Sequence, residues 1–162
     1  MTLAQLPHIN LPAYGAQIQG DGVTAPLRIY DVLRRKWVAL TPEEWVRQHF
    51  VNYLIRDLGY SPFRMSNERG LVVGARHRRT DTLVYSNDMR VLMVIEYNAP
   101  HIPLTQNVIE KIARYNLAIR APYLVVTNGL KCLCLHIDSF GDTHTPPQVT
   151  QLPSLPPFSS LL

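Results

Sequence analysis

Two strand-like runs, RRTDTLVYS and RVLMVIEYN, lie on either side of a polar Asn87–Asp88 turn. β-Branched and apolar residues flanking such a turn pair as a β-hairpin. Pro100 and Pro103 follow the second run, and proline, with no amide to donate, stops a strand. TQNVIEKIARYNLAI comes next, with Thr105 near its cap and Val108, Ile112, Tyr115 and Ile119 at helical spacing. That pattern predicts a helix. PYLVVTNG and LKCLCLHID then read as two more strands. A hairpin, a helix and two strands in this order force the chain towards a sheet with a helix packed on it.

The segment before the hairpin adds the other side. LRIYDVLRRKWVAL alternates apolar and polar residues around a basic turn, which predicts a hairpin. TPEEWVRQHFVNYLIRDLG carries the clearest helical signal in the chain. Thr41 suits the N-cap, Pro42 the first helical position, and Glu44 stands three residues after the cap, as in a capping box. Val46, Phe50, Tyr53, Leu54 and Leu58 recur at helical spacing, and Gly59 ends the run. SPFRMSNERGLVVGARH reads as a strand or a loop. The fold class expected is α/β (α+β), a mixed central sheet flanked by helices.

At 162 residues the chain suits one compact domain. Prolines cluster at both ends, five of the 13 lying in THTPPQVTQLPSLPPFSSLL. Residues 1–25 are therefore expected as an extended arm, 26–140 as the domain and 141–162 as a Pro/Ser-rich tail. No apolar run reaches the length of a membrane span, and MTLAQLPHINLPAYG does not resemble a secretion signal. A cytoplasmic protein without a membrane partner is expected. Two cysteines do not make a disulfide scaffold. The charge of +4 permits a polyanionic partner, and Arg76, Arg78 and Arg79 in ARHRRTD concentrate it next to Asp81. That run is either a phosphate-contacting patch or a solvated turn.

The acids carry the chemistry. Side chains alternate along a strand, so Glu96 and Asn98 point to one side, and Asp81 shares a face with Leu83 and Tyr85. A turn centred near Asp88 sets Asp81 opposite Glu96 or one diagonal position away. Facing carboxylates repel unless a cation lies between them, and Mg²⁺ accepts one or two carboxylates with waters and phosphate oxygens. The alternative is that each acid ends its strand in water or against an arginine. Cys132, Cys134 and His136 share a face of the last strand, but zinc needs a fourth ligand, and none is expected here. No P-loop, Rossmann fingerprint or nucleophile elbow occurs.

LTPEEWVRQHFVNYLI, RRTDTLVY, LMVIEYNAPHIPLTQNVIEKIARYN and YLVVTNGLKCLCLHID together resemble the N-terminal nuclease domain of type I restriction enzyme R subunits, over residues 27–138. Small stand-alone proteins related to that domain resemble the chain more closely still. The resemblance implies the restriction-endonuclease-like PD-(D/E)XK fold. It implies Mg²⁺ (or Mn²⁺) held by Asp81, Glu96 and the Tyr97 carbonyl, and Tyr115 as the supporting tyrosine on the following helix. Glu68 and Glu44 fall near positions where related nucleases carry further acids, although a capping box accounts for Glu44 without catalysis.

Two positions depart from the family pattern: Asn98 stands at its lysine and Lys111 at its glutamine. An amide cannot supply the lysine's charge. Lys111, one turn before Tyr115, is positioned to restore that charge from the helix. Decay of the site, or an Asn98 hydrogen bond to the Pro100 turn, explains the same departures.

Two functions of different class follow. One is a metal-dependent deoxyribonuclease using Asp81, Glu96, Lys111, Asn98 and Tyr115, with Arg114 among the DNA contacts. The other is a degenerate nuclease fold that binds DNA or protein. A homodimer or a separate partner chain suits either. The chain has no motor of its own.

Overall fold

The computed structural model describes residues 1–73, 76–140 and 148–161, without the side chains of 69, 71–73 and 76–80. Strands β1 (Ile18–Gln19), β2 (Arg28–Asp31) and β3 (Lys36–Ala39) make a small antiparallel sheet. Helix α1 (Pro42–Arg56) follows, then β4 (Met65–Val73), β5 (Arg76–Tyr85), β6 (Val91–Tyr97), α2 (Gln106–Ile119), β7 (Tyr123–Thr127), β8 (Cys132–Ser139) and β9 (Gln148–Leu152). Strands β4 to β9 form a six-stranded sheet in sequence order. Each neighbouring pair is antiparallel except β6 and β7, which are parallel. A parallel pair needs a crossover, and α2 supplies it. The mixed sheet with helices is the expected class.

Alternation along the strands divides the core in two. Val84, Met93, Ile95, Tyr97 and Val125 face Val46, Phe50, Val51 and Leu54 of α1. Leu83, Tyr85, Val94, Leu124 and Val126 face the opposite way, towards Ile112 of α2. Burying a side chain of this size contributes roughly 1.5–3 kcal/mol, so one helix on each face settles the register. A slip of one residue would exchange the two faces.

The helices begin as the spacing predicts. The Thr41 hydroxyl accepts the Glu44 amide at 3.0 Å, and Pro42 is the first residue of α1. The cap is only half a capping box, because the Glu44 carboxylate turns inward to Arg34, Arg47 and Gln48. α1 ends at Arg56, before Gly59, and Leu58 packs on the core from beyond the helix. α2 ends with Arg120 in the left-handed conformation, φ 58°. The Asn116 amide closes that end by bonding both backbone groups of Ala121.

The chain ends are not loose extensions. Residues 148–152 pair with β8 as a sixth strand, so the segment read as a Pro/Ser-rich tail extends the sheet. Its prolines cap contacts instead of preventing them: the Tyr60 hydroxyl donates to the Pro156 carbonyl at 2.8 Å, and Phe158 packs on the Tyr60 ring. Leu161 is buried in the α1-side core.

The N-terminal arm docks similarly. The Trp45 indole donates to the Pro7 carbonyl, and the Asn10 amide to the Gly129 carbonyl. Gly129 is required there, because φ is +80° and a Cβ would sit 2.8 Å from Ile9. Among the described residues no helix is long and apolar enough to cross a membrane.

Candidate active site

Thr82 lies opposite Ile95, Leu83 opposite Val94 and Val84 opposite Met93. The same register sets Asp81 level with Glu96, the nearer of the two positions expected from the turn. A bulge between Val84 and Tyr85 takes up the offset of the Asn87–Asp88 turn before the strands reach the acids. The Asp81 charge acts on the Glu96 carboxyl. The Tyr97 amide donates to Asp81 Oδ2 at 2.8 Å, and Arg47 Nη2 donates to Asp81 Oδ1 at 2.9 Å.

Glu96 has a different environment. Among the described residues its carboxyl makes no hydrogen bond or ion pair. Burial first, and the Asp81 charge second, push its pKa up to about 8. Burial also lifts Asp81 above the usual carboxylate range, against the pull of Arg47 and the Tyr97 amide. The Lys111 charge works the other way and favours ionised Glu96. Lys111 is exposed on α2, so it bears on the pair through its field.

The other predicted residues separate. Tyr115 is half-buried on α2, and Arg114 is exposed one residue before it. Asn98 lies just past β6, where its amide continues the ladder to the Thr127 carbonyl at 2.9 Å. Its side chain makes no hydrogen bond among the described residues, so of the three explanations for Asn98 the bond to the Pro100 turn is not seen. Glu68 is brought in: its carboxylate pairs with Arg34 Nη1 at 2.7 Å and Arg47 Nη1 at 3.2 Å. Glu44 is buried among Arg34, Arg47 and Gln48. The Arg76, Arg78 and Arg79 side chains lie outside the described residues. Cys132 and Cys134 line a cleft of about 410 Å³ between the two docked chain ends, and burial pushes their thiols up to about 12 and about 11. His136 pairs instead with Asp138.

Three groups at the site went unread in the sequence. Glu43, not Glu44, is the first-helix acid whose charge reaches both Asp81 and Glu96. Burial raises its pKa, with Asp81 adding to the effect. Arg47 is 2% exposed and meets Glu43, Glu44, Glu68 and Asp81. Arg34 ties Asp31, Glu44 and Glu68, and Asp31 in turn accepts Asn67 at 2.9 Å. A signal was present: Glu43, Glu44, Arg47 and Gln48 stand at helical spacing alongside Val46, Val51 and Leu54. Charges on that face are buried only when paired.

Whether a divalent cation suits the site is a question of donor chemistry. Among the described residues no group of three or more His, Cys, Asp or Glu is placed to hold a metal ion. Mg²⁺ needs fewer protein ligands, often one or two carboxylates with waters completing the shell. Asp81 and Glu96 are level on neighbouring strands. Each Asp81 oxygen has one protein partner and keeps a second lone pair, and Glu96 has its whole carboxylate to give. Burial, and after it the Asp81 charge, raise the Glu96 pKa, an effect that a cation beside the pair would oppose. The pair fits a hard divalent ion.

The family model described as Type I restriction enzyme R protein N terminus matches residues 42–156. No curated protein matches the chain.

Proposed function

The chain belongs to the type I restriction enzyme R protein N-terminal family, and from that premise we propose that it is a Mg²⁺- or Mn²⁺-dependent DNA endonuclease domain. The observation that carries this reading is Glu96. It is a half-buried acid with no hydrogen bond or ion pair among the described residues, level with Asp81 and under the field of Lys111.

When bound, the metal supplies an activated water and neutralises charge on the scissile phosphate. Asp81 and Glu96 hold it, with the Tyr97 carbonyl as the further ligand the family pattern implies. Asp81 enters already oriented by Arg47 and the Tyr97 amide. Lys111 provides the positive charge that Asn98 cannot, opposing the charge that builds up on the phosphate in the transition state. Asn98, one residue past the strand, is left to orient water through its amide. DNA is the substrate that a restriction-related domain with a basic ARHRRTD segment best suits. A homodimer or a separate partner chain suits this reading.

A second reading has its own support. Both oxygens of Asp81 have protein partners, as in a carboxylate kept for structure, and the strand lysine is absent. On that reading the fold binds DNA or protein without turnover. Supercoiled plasmid incubated with Mg²⁺ or Mn²⁺ separates the two. Nicking by the wild type, abolished in Glu96→Ala and reduced by 10²-fold or more in Lys111→Ala (about the loss of one charge-stabilising donor), supports the nuclease. No nicking by the purified wild type on single- or double-stranded DNA supports the binding module. Equal nicking by wild type and Glu96→Ala rejects the site.

A further inference from the structure

This inference rests on the reading of Asp81 and Glu96 as the metal-holding pair. We propose that Arg47 is its positioning residue, an arginine on the core face of α1 that fixes the Asp81 carboxylate in the orientation a metal ion requires.

Arg47 occupies a position that the helical pattern reserves for apolar side chains. A guanidinium there needs partners for its donors; both terminal nitrogens have them, while the buried Nε has none among the described residues. Nη1 donates to Glu44 at 2.8 Å and to Glu68 at 3.2 Å, and Nη2 donates to Asp81 at 2.9 Å and to Glu43 at 3.4 Å. The guanidinium carbon also lies 5.5 Å from the centre of the Tyr97 ring. Tyr97 is the residue after Glu96, and its amide holds the other Asp81 oxygen. Arg47 and Tyr97 therefore stack on each other while each holds one oxygen of Asp81. Turning the Asp81 carboxylate breaks one bond or the other.

Arg47 is itself held from outside. Glu44 is shared with Arg34 and Gln48, and Glu68 bridges Arg34 and Arg47. Glu68 takes φ 50° inside a strand, a conformation uncommon for a residue with a side chain. There the β4–β5 pairing passes from Asn67 opposite Thr82 to Arg69 opposite Thr80. The register is unbroken across it, which sets Glu68 level with Asp81, and from there Glu68 reaches both arginines. Backbone strain of this kind collects at sites where geometry is set. A network that only stabilised the fold would not need to end on one of the two facing acids. The guanidinium is a planar fork that meets several carboxylates at once, whereas an ammonium is a point charge. Lysine at position 47 therefore keeps the charge and loses the orientation.

The test uses the full chain and Mn²⁺ itself as the probe, with affinity from calorimetric titration, thermal unfolding, and plasmid nicking resolved into kcat and KM. The expected result is that wild type binds Mn²⁺ in a manner lost in Glu96→Ala. Arg47→Lys remains folded, binds Mn²⁺ at least about 10-fold more weakly, as for other partners of metal ligands, and nicks with a lower kcat at unchanged KM for plasmid. A folded Arg47→Lys that binds Mn²⁺ as tightly as wild type overturns the proposal and leaves the metal reading standing. Wild-type binding that is absent, or indifferent to Glu96→Ala, overturns the metal reading and this proposal with it. If Arg47→Lys fails to fold, Glu68→Gln decides. It loosens the anchor of Arg47 at a partly exposed position, and a folded variant with unchanged Mn²⁺ affinity overturns the proposal.

Discussion

Asp81 and Glu96 stand level on neighbouring strands, and the protein treats them differently. Asp81 is fastened: Arg47 holds one oxygen and the Tyr97 amide the other, with Glu44, Glu68 and Arg34 behind them. Glu96 has no such partner among the described residues, and its carboxyl is pushed up to about 8. The difference assigns the two acids distinct tasks. A hydrogen-bonded network fixes the geometry of Asp81 and leaves each of its oxygens one lone pair for a ligand. A half-buried carboxylate without partners is unfavourable until a cation arrives, and it is there that binding energy is available.

The largest effect should come from the fastened side. Arg47→Met leaves Glu44 and Asp81 without their shared cation, and breaking a buried ion pair from one side costs about 3–5 kcal/mol. Urea denaturation measures this, and a loss below about 1 kcal/mol, the scale of a surface ion pair, would show that the network does not hold the fold.

The unfastened side predicts a pH dependence with a definite sign. Glu96 titrates near about 4.3 in an unfolded chain and near about 8 when folded, so the native state binds the proton more tightly. Its contribution to stability is complete below the unfolded value and is lost as pH rises towards 8. The difference in urea midpoint between wild type and Glu96→Gln should therefore move against wild type from pH 5 to pH 9. Mg²⁺ at pH 8 should restore wild type alone. A difference that stays flat across this range would mean that Glu96 is paired or solvated after all.

Thr41→Ala removes the cap of α1 and should cost about 1 kcal/mol. It should leave the Glu96 titration where it was, since the cap bonds the Glu44 amide and touches neither Asp81 nor Glu96. The smallest effect on stability belongs to Lys111→Ala, an exposed change expected within about 0.5 kcal/mol. Its signature is a Glu96 pKa above the wild-type value, read by carboxyl NMR. An unmoved pKa would remove Lys111 from the site.

Much of the frame was legible because it is local. The α1 cap at Thr41, the proline stop after β6, the α2 stripe and the level pairing of Asp81 with Glu96 all follow from spacings within one hairpin or one helix. The misreadings involve distance along the chain. Residues 148–152 read as tail because QVTQL, with four of its five residues exposed, signals a strand only when β8 is beside it. Glu44 read as a capping acid because its true partners include Arg34, ten residues away. Arg47 went unremarked because a single arginine in a helix is ordinarily solvated, and its burial depends on Glu68 and Asp81, 21 and 34 residues distant.

The sequence by itself determined the two helices, the β2–β3 and β5–β6 hairpins, strands β7 and β8 and their order, because hydrophobic periodicity and turn chemistry act between near neighbours. Only the tertiary structure decided which charges meet. Folding brings Arg34 of the β2–β3 turn, Glu43, Glu44 and Arg47 of α1, and Glu68, Asp81 and Glu96 of β4, β5 and β6 together. Whether a carboxylate is held or left without a partner depends on solvent exclusion and on distances that no local pattern encodes.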